Sequence, residues 1–155
     1  MNKSKGFTIV EVLVAMIILS VGTLGLGMMQ MTSVRTTQGG YMRSQATILG
    51  YDMIDSMRTN SPGTGNGNYN ILLADATPVA VNCYGEAADC TTAQSARADV
   101  VRWRTMLANY LPTGNGQITT VDLGTRTRVT VTISWLDPYS VQNGAEQIVL
   151  VSEVR

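Results

Sequence analysis

The longest pattern in the chain is apolar: between Ile9 and Val34 only Glu11 carries a charge, and from Val12 onward there is none. Wound as a helix at about 1.5 Å per residue, this length matches a bilayer core of about 30 Å. Beyond Arg35 the pattern turns amphipathic. Met42, Ala46, Leu49, Met53 and Met57 recur at spacings of three and four, which is one face of a helix and predicts that it runs on to about Arg58. Asp52, Asp55 and Arg58 fall on other faces, as solvated surface or contacts to neighbouring subunits. Asn60-Ser61-Pro62-Gly63 is expected to stop the helix, because proline and glycine continue it only at a cost.

The stretch TNSPGTGNGNYN reads as a polar, glycine-rich loop with too little apolar material to pack by itself. Only short apolar runs follow, Ile71-Leu72-Leu73 and Val79-Ala80-Val81. A second helix is signalled by Ala96, Val100, Trp103, Leu107 and Leu111, and ended by Pro112 and Gly114. Arg97, Arg102 and Arg104 decorate it and read as solvated surface. Strand patterning takes over in the segment from Arg126 to Leu136, where Val129, Val131, Ile133 and Trp135 alternate with threonine, serine and arginine. Gln117 to Leu123 and Glu146 to Val154 supply flanking strands, and the short connections favour an antiparallel meander. The expected class is α+β: a long N-terminal helix, a second short helix and a small antiparallel sheet. An exposed edge of that sheet could accept a strand from a partner.

Composition narrows the chemistry. The 155 residues suffice for one membrane helix and one folded head. There is no histidine, which removes the usual general base near neutral pH and the commonest metal ligand. No nucleophile paired with a base, no phosphate loop and no metal set can be assembled, so neither an enzyme, a cofactor nor a small-molecule substrate is expected. Formal charge is zero, and without the first six residues nine arginines face eleven acids. That is no broad basic field, and nucleic-acid binding by charge is disfavoured. Lys3 and Lys5, both ahead of the apolar segment, orient the N-terminus to the cytoplasm. The apolar segment is longer than a secretory signal core and no A-x-A site follows it, which speaks against its removal. Gly22, Gly25 and Gly27 within it would permit close helix packing or local unwinding, or simply belong to a plain anchor helix.

Cys83 and Cys90 stand in NCYGEAADCT. In a reducing compartment such a pair could be a redox or metal site, but a metal usually wants four ligands and no histidine completes a set. A structural disulfide is the preferred reading, and it implies an oxidising compartment.

The stretch KGFTIVEVLVAMIIL resembles the N-terminus of type IV prepilins and pseudopilins. The resemblance implies residues 1–6 as a leader, residues 7–34 as the transmembrane or filament-core half of the helix, and residues 35–155 as a periplasmic head. It implies cleavage between Gly6 and Phe7 by a prepilin peptidase of the inner membrane, and N-methylation of Phe7. Glu11 would be the fifth residue of the mature chain. A carboxylate within hydrocarbon costs on the order of 2–3 kcal/mol. The new amine on Phe7 of a neighbouring subunit would offset that cost and help set the stagger on assembly.

Over nearly the whole chain the likeness is to minor pilins of the PilV class, the type IV pilus modification proteins. It is carried by Arg43-Ser44-Gln45-Ala46, by the run from Tyr51 to Asn60, by Asp99, Trp103 and Leu107 running into Leu111-Pro112, and by Thr132-Ile133-Ser134-Trp135. The cysteine pair departs from the C-terminal disulfide loop common in major pilins, which also argues for a minor subunit. The partners implied are other minor pilins and the major pilin, met through the N-terminal helix. The location implied is the inner membrane and then the filament. A minor pseudopilin of a type II secretion system shares everything through Glu11. A tip receptor is the other alternative, with Arg97, Arg102, Arg104 and the glycine-rich loop as its candidate surface.

Overall fold

The computed structural model describes Gly6, residues 8–83, 89–138 and 144–155. Helix α1 runs over Ile9–Thr59, α2 over Ser61–Gly65 and α3 over Thr92–Tyr110. Strands β1 (Asn115–Asp122), β2 (Thr127–Leu136) and β3 (Ala145–Val154) form one antiparallel sheet in the order β1-β2-β3. This is the expected α+β architecture. The chain divides into two units, Met1–Gln38 and Gly39–Arg155.

The second unit is built on the periodicities of the sequence. The stripe Met42, Ala46, Leu49, Met53 and Met57 is buried and meets Val129, Val131, Ile133 and Trp135, the inward positions of β2. Register puts Ile118 of β1 and Leu150 of β3 opposite Val131, so the three strands present one apolar face to the helices. Trp103 of α3 is fully buried, and its Nε1 donates to the Leu49 carbonyl at 3.0 Å, which ties α3 to α1. Truncating such an indole costs about 3–5 kcal/mol. Close approach explains two glycines. A side chain at Gly50 would run into Leu150 and lie 3.3 Å from Ile133 Cδ1, and one at Gly116 would enter the Trp103 ring.

Helix α3 starts on a capping box: the Thr91 hydroxyl accepts from the Gln94 amide at 3.3 Å, and the Gln94 side chain accepts from the Thr91 amide at 2.9 Å. Each half satisfies an amide the helix leaves unpaired.

Two expectations are corrected. The glycine-rich stretch is not a bare loop. Asn60 caps the short helix α2, its Oδ1 accepting from the Gly63 amide at 3.3 Å, while Tyr69 is fully buried in the core. The Tyr69 hydroxyl donates to Asp99 at 2.8 Å and accepts from Asn60 Nδ2 at 3.1 Å. One aromatic anchor and one bridging amide supply the packing that composition does not. Ile71 then pairs with Ile118, blunting the outer edge of β1.

Arg104 is the second correction, because it is buried rather than solvated. Its guanidinium donates to three backbone carbonyls: Leu72 at 2.6 Å, Asp75 at 2.6 Å and Gly116 at 2.9 Å. Burial lowers its pKa from the usual value, while the charge of Asp75 acts against that shift. Arginine stays protonated throughout the physiological range.

Candidate functional site

The features that motif reading singles out gather at the start of α1. Gly6 is exposed and precedes the helix, with open space where a side chain would be. Phe7 and residues 1–5 of the expected leader lie outside the described residues. Thr8 is the last residue before α1, and its hydroxyl accepts from the Glu11 amide at 3.3 Å. The Thr8 carbonyl also accepts from the amides of Glu11 (3.1 Å) and Val12 (3.3 Å). Thr8 therefore caps the helix, and Thr8-x-x-Glu11 has the spacing of a capping box. Motif reading passed over Thr8; the box pattern was the signal that could have found it.

Glu11 is exposed in the first turn of α1, where the positive end of the helix dipole favours a carboxylate. Among the described residues it has no salt-bridge partner. The large apolar side chains that follow are also exposed, among them Leu24 at 73% and Met28 at 76%. A window of 18 residues in this helix is apolar enough to cross a membrane, and none of it is buried within the protein.

Hydroxyls in this stretch are satisfied by the helix itself. Ser20 donates to the Ile17 carbonyl at 2.9 Å, Thr23 to Ser20 at 2.9 Å and Thr32 to Met28 at 3.1 Å. Such back-bonding lets a polar group sit in an apolar medium. The helix runs unbroken through Gly22, Gly25 and Gly27, with nothing within 4 Å of a side chain built at any of them. Local unwinding is absent, and the glycines are open to close approach.

In the head, Cys83 and Cys90 are joined in a disulfide with their Cα atoms 5.8 Å apart. The bond lies just ahead of Thr91, the cap of α3. The three arginines of α3 do not form one patch. Arg104 is buried, Arg102 pairs with Asp52 at 3.1 Å and donates to the Ser56 hydroxyl at 3.1 Å, and Arg97 remains exposed. Asp55 and Arg58 pair with each other at 2.9 Å, and Arg58 also reaches Ser152 on β3 at 3.0 Å. These contacts knit the surface of α1 to its own head. Among the described residues no three His, Cys, Asp or Glu side chains come together as a metal ion would need.

Comparison with known families agrees with this layout. The family model for the prokaryotic N-terminal methylation motif matches residues 1–27, and the model described as type IV pilin Tt1218 matches residues 28–101. No curated protein and no solved structure matches the chain significantly. The two family matches adjoin, covering Gly6, Glu11, all of α1 and the Cys83–Cys90 bond. With the methylation motif, the pilin match and the α+β fold together, the chain belongs to the type IV pilins.

Proposed function

We propose that this pilin is a minor subunit, similar to the PilV class, which joins other minor pilins to prime filament assembly, with a place at the filament tip. The observation that carries its assembly role is the apolar half of α1. It is exposed along its length, so it needs lipid before assembly and other copies of such helices afterwards. In this reading a prepilin peptidase of the inner membrane removes residues 1–6. Phe7 becomes the methylated N-terminus, residues 7–34 form the membrane-spanning half, and residues 35–155 stand in the periplasm until they join the filament. The Cys83–Cys90 bond fits an oxidising compartment.

Glu11 supplies the electrostatic step. Its carboxylate has no salt-bridge partner among the described residues, and cleavage creates an amine on each incoming subunit. An opposite charge across the helix bundle offsets the cost of desolvating both groups. Glu11→Ala should be processed normally but enter filaments poorly; normal incorporation of that variant would sink the pairing.

The priming role is tested by deletion. Cells lacking this chain should carry few filaments, and piliation should return when retraction is also disabled. Normal piliation in the single deletion would contradict it.

A further inference from the structure

We infer that the outer edge of β3 is a docking edge that takes an extended strand from a different pilin subunit held in the same membrane; this rests on the assembly with other pilins proposed above. The sheet has two outer strands, and the fold treats their free edges differently. That of β1 is sealed. Ile118 exchanges both backbone bonds with Ile71, at 2.9 and 3.0 Å, the Thr120 amide donates to Asn70 Oδ1 at 2.8 Å, and the Gly116 carbonyl accepts from Arg104 at 2.9 Å. These three residues alternate along the strand, as the outward-facing groups of a β-edge must.

Strand β3 has no such cover: among the described residues, the backbone of Ala145–Val154 pairs with β2 alone. It also lacks the devices that keep an edge from pairing. The strand runs without proline, lysine or bulge, and Ile148-Val149-Leu150-Val151 is uninterrupted apolar. Ile148 and Leu150 pack against the core, so Val149 and Val151 take the opposite face, where they are 52% and 61% exposed. The charges at the ends are already paired, Glu146 with Arg43 at 2.7 Å and Glu153 with Arg126 at 3.1 Å. Open amides and carbonyls call for another strand, and the neutral centre calls for one whose facing side chains are uncharged and β-branched.

A second copy of this chain fits poorly. Its β1 edge is closed, so β3 of one copy cannot extend β1 of the next. Two β3 edges joined antiparallel, with both helix-covered faces on one side, would set their α1 helices in opposite senses. This follows because α1 runs alongside β3: Arg43 meets Glu146, Gly50 lies beside Leu150 and Arg58 reaches Ser152. Identical chains inserted in one bilayer keep the same sense. A single open edge takes one neighbour, so the contact closes there rather than propagating.

The test is a photo-cross-link in piliated cells that carry the native set of pilins. With p-benzoylphenylalanine in place of Val149, an adduct should form with another subunit bearing an N-terminal methylation motif. Mass spectrometry should place the joined residue in a β-strand of that subunit. The same probe in place of Val121, which is 56% exposed on the β1 strand, controls for apolar exposure and should give little adduct. Val151→Lys should cut the Val149 adduct on the order of fivefold with head unfolding unaltered, because a charge on the edge opposes pairing. Undiminished cross-linking in the lysine variant, equal adducts from Val121, or no adduct at all would overturn the inference. So would an adduct with a second copy of this chain, with a protein outside the pilins, or through a helix of the partner. The priming role is judged separately, since normal piliation in the deletion strain would sink it and leave the cross-link standing.

Discussion

One helix, α1, lives in two environments, and the contrast shows what each half is for. From Met42 to Met57 a single stripe is buried while Asp52, Asp55 and Arg58 occupy other faces and form ion pairs. From Ile9 to Val34 every face is apolar, and no side chain is buried. A soluble helix needs only one apolar face; an all-round apolar helix needs a non-aqueous surround. The head half is stabilised by its own chain. The first half depends on something this chain does not contain.

The sharpest way to break that contrast is in the core of the head. Trp103→Ala removes a fully buried indole and its bond to Leu49, and should destabilise the head by about 3–5 kcal/mol in urea unfolding of the full chain in detergent. A smaller loss is expected from Cys83→Ser, about 2–3 kcal/mol by the entropy of closing a short ring. It should vanish when both proteins are compared under reducing conditions, and a loss that persisted in reductant would put the effect elsewhere. Gly50→Ala forces a methyl into Leu150 and should cost about 1–3 kcal/mol. Leu24→Ala, in the exposed half, should leave head unfolding within about 0.5 kcal/mol. A large effect there would mean that the two halves are not independent.

Much of the head was legible because it follows simple periods. The methionine stripe of α1, the Ala96 to Leu111 stripe of α3 and the alternation along β2 each specify an element and its buried face. Strand limits shifted by a residue or two, as at Asn115, where pairing to Ser134 extends β1 beyond its apolar pattern. What was not legible depends on partners distant in sequence. Tyr69 is one aromatic residue in a polar stretch, buried because Asp99 accepts from its hydroxyl, Asn60 donates to it and the core takes in its ring.

Arg104 could have drawn notice, since it lies eight residues after Ala96 on the apolar stripe. Only the fold reveals the three carbonyls that satisfy it. At the N-terminus the motif identified Gly6, Phe7 and Glu11 as candidates but passed over Thr8. A family signature draws attention to the residues it contains for chemistry, whereas the cap is signalled only by the Thr8-x-x-Glu11 spacing and shown by the hydrogen bond.

The most direct test of the central claim is the mass of the chain purified from its native membrane or from sheared filaments. The account predicts a chain that begins at N-methylated Phe7 with Cys83 linked to Cys90. An intact Met1 with free thiols, in cells whose other prepilins are processed, would contradict it.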